Sequence, residues 1–444
     1  MSEAVIADEV RWYRLLDRRQ WSTLIAANLG WMFDGYETYA VILCAGAAFR
    51  QLLEPSRYGQ IPAYVGFILA LTLLGWGIGG LLGGVVADYL GRKRTMMLAI
   101  LAYSLTTGLS AFAWDWVSFA ALRFLVGVAI GSEWVTGASI VSELWPDRMR
   151  ARGAGLMQCG FGIGFFLASF TWLFAGATGS GGWRIMFLIG VLPALMTLWV
   201  RRTIPESERW EGVSAQRRAA VERRRSGATL GADELALTRI TVVDLFADRQ
   251  VRRRVILAGL VSLSTTLAFW AIGAWIPPYV ASAATGAGLD GQQWASYAAI
   301  LNTGASVIGY SAFGFLADAF GRKPATILYI VAAFLSVPLM FVWADGLPTM
   351  LFAAAVSGAF VSGQYTWMAA WLPELFPTRV RATAAGFVFN MPRLIAWLGP
   401  IISGWIIANL GGFSHAAVTI ALIYFIGLAA AAFLPETRGK PLPA

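Results

Sequence analysis

The sequence predicts an all-α membrane protein, twelve transmembrane helices in two six-helix, pseudo-symmetric bundles. Three observations carry this. Apolar residues make up 58% of the 444 and charged residues 13%, about half the charge that a soluble domain uses to cover its surface. The apolar residues fall into blocks of about 20, the length of a helix that crosses a bilayer. Unusual motifs then recur along the chain at an offset of about 230 residues, as parallel repeats of one six-span unit do.

The twelve spans are expected at 21–46, 64–87, 96–114, 117–142, 153–176 and 183–200, then 255–282, 294–317, 325–343, 348–372, 383–408 and 415–434. The corresponding units are an N-terminal segment 1–20, a bundle 21–200, a central loop 201–254, a bundle 255–434 and a tail 435–444. With both termini on one side, 29 of the 34 Lys and Arg residues fall in the segments of that side. Short basic loops stay cytoplasmic, so both termini are expected inside, in a multi-pass protein of a bacterial inner (plasma) membrane. The net charge of +9 therefore reports topology and attraction to the lipid bilayer, and nucleic acid is a poor partner. The first 20 residues are mixed-charge and read as no signal peptide.

Enzymes are excluded on similar grounds. Cys44 and Cys159 sit singly in apolar blocks, and His415, the one histidine, lies at the outer start of span 12. That leaves no metal site, catalytic triad or cofactor motif.

The repeat is explicit in three places. Gly84-Val-Val-Ala-Asp88-Tyr-Leu-Gly91-Arg92-Lys93 matches Gly314-Phe-Leu-Ala-Asp318-Ala-Phe-Gly321-Arg322-Lys323. Glu143-Leu-Trp-Pro146-Asp-Arg148-Met-Arg150 matches Glu374-Leu-Phe-Pro377-Thr-Arg379-Val-Arg381, and Pro205-Glu206-Ser207 matches Pro435-Glu436-Thr437. On these motifs the chain, over about residues 20–440, resembles the major facilitator superfamily of secondary transporters. The ExxPxRxR pairs and Pro-Glu ends are similar to its sugar porter and metabolite:proton symporter branch. Phe33-Asp34-Gly35-Tyr36-Glu37 resembles the Asp-Gly-aromatic-Asp element of aromatic-acid, lactate and sialic-acid transporters, with Glu37 in place of the second Asp. Gly131-Ser132-Glu133-Trp134 resembles the Gly-Gly-Glu-Trp of metabolite:proton symporters, with Ser132 in place of one Gly. The resemblance implies alternating access between two bundles, with a substrate site at the midplane.

The repeated turns are candidates for a cytoplasmic gate: Gly84, Asp88, Gly91, Arg92, Glu143, Arg148 and Arg150 in one half, Gly314, Asp318, Gly321, Arg322, Glu374, Arg379 and Arg381 in the other. Topology alone asks for basic charge there but not for an Asp in both copies. Asp88 is expected to accept hydrogen bonds from a neighbouring helix end or from an Arg of the ExxPxRxR loop.

Five ionisable residues lie within spans: Asp34 and Glu37 in span 1, Arg123 and Glu133 in span 4, and Arg393 in span 11. Each costs about 2.5–3.5 kcal/mol at a helix centre, so each is a functional candidate. Three acids against two arginines leave one negative charge without a fixed partner, the requirement for proton coupling through Asp34, Glu37, Glu133 and Arg123. By the resemblance, Asp34 is the protonation site and Arg123 its partner; a permanent salt bridge between spans 1 and 4 is the alternative.

Arg393 follows Asn390-Met391-Pro392, a proline in mid-span that interrupts the helix. Its guanidinium suits a carboxylate substrate, or else pairs with Asp34 or Glu133. Asn390, Gln364, Tyr365, Asn302, Tyr36, Trp134, Trp275, Tyr279 and Trp397, beside the embedded polar groups, complete the candidate substrate site. The expected function is proton-coupled import of a small organic acid anion, such as a monocarboxylate or aromatic carboxylate. A sugar or sialic acid transporter is the alternative, and a transporter-like receptor a further one.

Overall fold

The computed structural model describes residues 12–398, 405, 407, 409 and 411–443. Residues 1–11 of the expected N-terminal segment, most of 399–410 in the eleventh expected span, and 444 lie outside them.

Four spans begin at an aspartate cap. Asp17 opens the first span, Arg18–Leu52, by accepting the backbone N–H of Gln20 at 2.7 Å, while the Gln20 side chain accepts from the Asp17 N–H at 2.9 Å. Asp115 does the same for the fourth span, Trp116–Leu144, through Ser118. Asp248 and Asp290 cap the seventh and eighth, which begin at Arg249 and Gly291. Each side chain satisfies N–H groups that a helix start leaves unbonded.

Between these lie the second span, Ile61–Leu90, the third, Arg92–Ser110, and the fifth, Arg150–Ala175. The sixth is Gly182–Ile189 continued by Pro193–Thr203. In the second half the seventh span runs to Gly286 through a π-helical turn at Phe269–Gly273, and the eighth runs to Phe320. The ninth is Arg322–Phe341. The tenth runs from Leu347 to Leu375 with a π turn at Gly358–Ser362. The eleventh is broken between Arg381–Asn390 and Arg393–Ala396, as Pro392 dictates, and the twelfth is Phe413–Phe433. Among the described residues, eight helices are long and apolar enough by length and composition to cross a membrane. In the first span Asp34 and Glu37 dilute the apolar run, and Gly190–Leu192 divides the sixth.

The second and third spans, like the eighth and ninth, are joined by one glycine. Gly91 has φ +106° and Gly321 φ +112°, a backbone that side chains resist. The two halves meet where the second span packs on the eleventh and the fifth on the eighth. A side chain at Gly84 would strike the carbonyl of Ala382, and one at Gly314 that of Ala151. These two glycines therefore allow close approach at equivalent crossings.

The expected central loop is instead helical: Glu208–Arg225, Ala232–Leu237 and Thr241–Ala247. The first has Ser207 accepting from the Trp210 N–H at 3.3 Å, acids in its first turn and arginines in its last, all favourable against the helix dipole. It lies across both halves. Arg217 donates to the carbonyl of Asp88 at 2.7 Å and to that of Arg379 at 3.0 Å.

Candidate functional site

The side at which the first span starts and the twelfth ends is closed by a duplicated set of contacts. Asp88 accepts from the Thr383 backbone N–H at 2.8 Å, the Thr383 hydroxyl at 2.7 Å and the Ala382 N–H at 3.4 Å, capping the eleventh span. Asp318 accepts from Arg152 N–H at 3.0 Å and Ala151 N–H at 3.3 Å, capping the fifth. Each acid is held by the arginine four residues on, Arg92 at 3.1 Å and Arg322 at 3.0 Å. Glu143 bonds Arg381 of the other half at 2.8 Å and Arg92 at 3.3 Å; Glu374 bonds Arg150 of the other half at 2.9 Å and Arg322 at 2.8 Å. Of Asp88's two expected partners, the helix end is the one seen across the halves.

The remaining residues of the duplicated turns diverge. Arg379 pairs with Asp244 of the central segment at 2.8 Å, whereas Arg148 is exposed with no partner among the described residues. The Pro-Glu ends act as caps. Glu206 accepts from Arg92 N–H at 3.0 Å and Lys93 N–H at 3.2 Å, and Glu436 from Arg322 and Lys323 N–H, both at 3.0 Å. Burial opposes ionisation of Glu436, yet the N–H groups of Arg438, Lys323, Arg322 and Thr437 outweigh it and hold its carboxyl below the usual range.

Four of the five embedded ionisable groups lie inside the first bundle, in an arrangement unlike the one the resemblance implies. Arg123 pairs with Glu37, not Asp34, and donates to the Ser110 hydroxyl at 2.6 Å. Its guanidinium lies 4.5 Å from the centre of the Phe187 ring. Asp34 instead faces Glu133, within hydrogen-bonding reach. None of the four carboxyl oxygens of this second pair has an N–H or O–H partner, although both side chains are buried. The Thr107 hydroxyl, also buried, is unpartnered too, and Tyr103, whose hydroxyl lies within hydrogen-bonding reach of Ser104, is within electrostatic reach of both acids.

Arg393 stands apart. It is 2% exposed and, among the described residues, has no carboxylate partner. The alternative that it pairs with Asp34 or Glu133 is not seen. One terminal nitrogen donates to the Phe389 carbonyl, and Nε is unbonded. The guanidinium lies 4.0 Å from the centre of the Phe389 ring and 4.8 Å from that of Trp76.

With Trp31, Trp76, Gln158, Phe161, Phe269, Trp270, Tyr310 and Tyr365, Arg393 lines a pocket of about 10 Å³, room for one water. Three of these residues hold a buried donor without a partner, the indole N–H groups of Trp31 and Trp76 and Arg393 Nε, while the Tyr365 hydroxyl lies within hydrogen-bonding reach of Trp270 and Thr266. The pocket adjoins a cavity of about 1070 Å³, mostly apolar, which shares Trp76, Phe161, Phe269, Trp270 and Tyr310 with it. The cavity extends past Thr38 and Asn302 to Pro62, Pro278 and Phe413, at the ends of spans opposite the closed side. The structure is thus shut on the terminal side and hollow on the other.

Of the sequence candidates, Arg393 and Tyr365 line the small pocket, and Asn302 and Trp275 the large cavity. Six others are not part of either lining. Tyr36 points into the first bundle, its hydroxyl bonded to the Met186 carbonyl at 3.1 Å. Asn390 bonds the Gly386 carbonyl at 2.9 Å against the second span, and Gln364 bonds the Tyr424 hydroxyl at 3.0 Å. Trp134 stacks on Phe389 with ring centres 3.5 Å apart and donates to Gln158 at 3.1 Å. Tyr279 bonds the Phe341 carbonyl at 3.3 Å, and Trp397 packs, half-buried, against the core. Sequence reasoning missed Trp31, Trp76, Gln158 and Trp270. Only Trp31 carried a signal, three residues before Asp34 on one helix face.

Known proteins place this architecture. Residues 23–444 match the family model described as Sugar (and other) transporter. The chain is 29% identical over 425 residues to a putative metabolite transport protein of Haemophilus influenzae, covering 95% of this chain and 98% of that one. It is 27% identical to the cis,cis-muconate transport protein of Acinetobacter baylyi, covering 85% and 86%. Its fold is similar to the solved structure of the major facilitator superfamily proton:xylose symporter XylE bound to 6-bromo-6-deoxy-D-glucose, with TM-score 0.74, 20% identity and coverage of 96% and 98%. A multi-pass membrane protein with this duplicated fold, and no enzyme, the chain belongs to the sugar (and other) transporter family of the major facilitator superfamily.

Proposed function

We propose that the chain imports a small organic acid anion, a monocarboxylate or aromatic carboxylate, together with protons, by alternating access across a bacterial inner membrane with both termini cytoplasmic. The observation that carries this is Arg393, a buried cation without an acid among the described residues, in a small pocket that adjoins an apolar cavity. The unpartnered groups around it are donors, and a carboxylate is an acceptor only. An arginine fork holds such a group by two parallel bonds, and the aromatic walls suit a planar apolar body. The relative named for cis,cis-muconate supports the same class.

The Asp34–Glu133 pair supports proton coupling. Arg123 balances Glu37, so two adjacent carboxyls remain without a cation among the described residues, the arrangement in which like charges favour sharing a proton. One proton shared between them leaves a single negative charge to set against Arg393. Arrival of an anion at Arg393 removes that balance and favours a second proton, the direction a symporter requires.

A sugar needs acceptors as well as donors. Thr38, Asn302, Thr303 and Ser306 line the cavity and keep a sugar as the second reading, although the Asn302 amide N–H is spent on the Ala354 carbonyl at 2.9 Å. The test is uptake into proteoliposomes of labelled monocarboxylates, dicarboxylates, aromatic acids, sialic acid and sugars, with and without an inward proton gradient. Stimulated uptake of a carboxylate is expected, and stimulation of a sugar alone would overturn the reading.

A further inference from the structure

Phe389 is covered on both faces. Trp134 is stacked on it with the ring planes 10° apart and the centres 3.5 Å apart, and the Arg393 guanidinium lies 4.0 Å from the same centre. Two groups that close cannot share a face, so the three form a layered stack of guanidinium, phenyl and indole. The stack crosses between the halves, since Trp134 belongs to the fourth span and Phe389 and Arg393 to the eleventh.

The stack runs from Arg393 itself to the chain neighbour of Glu133. Trp134 follows Glu133 directly in the chain, and Glu133 faces Asp34. The Trp134 indole N–H is fixed by Gln158, which lines the pocket of Arg393. A change in the Asp34–Glu133 pair that moves the fourth span therefore moves the ring on which Phe389 rests. Seating a carboxylate on Arg393 shifts the other end. Coupling between sites needs an element with two arrangements that both sites bias. A stack between two bundles that part during transport is such an element, made in this closed arrangement and broken when the halves separate.

We propose that Trp134 is the positioning residue through which protonation of the Asp34–Glu133 pair and anion binding at Arg393 influence one another. This rests on the reading of Arg393 and of the carboxyl pair given above. By linkage, proton uptake and anion binding must strengthen each other by the same factor. Trp134→Leu removes the stack while leaving Arg393 and both acids in place; Trp134→Phe keeps a ring there.

The test measures the affinity of the purified full-length transporter for benzoate, as the probe, from pH 5.5 to pH 8.5. In the unaltered protein, affinity is expected to tighten about tenfold as pH falls. Trp134→Leu is expected to bind within about threefold of the unaltered protein at pH 7.5 but with a pH dependence flattened below about twofold. Trp134→Phe is expected to restore most of it, and Phe389→Leu to reproduce the loss. Full pH dependence in a folded Trp134→Leu protein would overturn the role of Trp134 and leave the function standing. An unaltered protein whose affinity ignores pH, or that binds neither benzoate nor any other carboxylate of the uptake panel, would overturn the coupled organic-acid reading and this inference with it.

Discussion

Glu143 and Arg381 form an ion pair of 2.8 Å between the two halves, with both side chains fully buried. Arg150 and Glu374 repeat it at 2.9 Å. Glu143→Gln would leave Arg381 and Arg92 facing each other without their anion. Breaking a buried pair from one side costs about 3–5 kcal/mol, which disfavours the closed arrangement. Labelling of Ala385→Cys by a maleimide reagent in a background free of Cys44 and Cys159 should therefore quicken at least tenfold in Glu143→Gln. An unchanged rate would show that the pair does not hold this side shut.

Asp88 caps the eleventh span without touching the cavity. Asp88→Asn should keep substrate affinity within about twofold while transport slows. Hydrogen bonds to a charged group contribute about 1.5–3 kcal/mol, so a change of about 10- to 100-fold in turnover is the expected scale. Equilibrium binding and initial uptake rates on the same preparation separate the two effects.

Arg393→Gln should weaken anion binding and leave folding intact, because among the described residues no acid loses its partner. Loss of a charge-assisted fork amounts to about 2–3 kcal/mol, or about 30- to 100-fold in affinity. Arg393→Lys keeps the charge but not the fork and should recover only part of it. Calorimetric titration with a substrate from the uptake panel, beside a thermal melt, distinguishes lost binding from lost fold.

At Gly30 an added methyl group would occupy the place of the Glu133 carboxyl. Gly30→Ala should push Glu133 away from Asp34. Uptake driven by a pH gradient is expected to fall at least fivefold, while exchange of substrate across the membrane at equal pH persists. Equal loss of both activities would mean that the glycine serves packing alone.

Glu436 provides a pH signature outside the membrane. Its carboxyl is held below the usual range, so the stability it contributes is complete above the unfolded value, about 4.3, and is lost as pH falls through the folded value. The melting temperature of Glu436→Gln should lie below that of the unaltered protein at pH 6–8. The gap should close as the pH is taken below about 4.

Much of this was legible in the sequence because the bilayer imposes simple rules. Span positions followed from apolar length, and the duplicated motifs brought Asp88, Asp318, Glu143 and Glu374 into equivalent places. The isolation of Arg393 was open, since spacing along one helix does not say which acid of another reaches it. The pairing of Arg123 was misjudged for a related reason. Asp34 and Glu37 share a helix face, but Glu37 lies about 4.5 Å nearer the far end, the depth at which Arg123 sits. Attention to depth would have chosen Glu37. The facing of aromatic residues was the least readable, because Trp31 and Tyr36, on either side of Asp34, point about 140° apart about the first span and only one of them reaches the pocket. The helix Glu208–Arg225 was there to be read, with a serine cap, acids at its start and arginines at its end.

The contacts that shut the terminal side have the form of an isologous interface. In each half an acid from the second or eighth span caps a helix of the other half, and a glutamate from the fourth or tenth span meets an arginine of the other half. Donor and acceptor thus reside together in one repeat, as in the patch that two identical subunits share about a twofold axis. A single repeat carrying both elements would be complementary to its own copy. One solution to closing the terminal side is thus used twice, and the segment that carries Arg217 reaches the backbone of both copies.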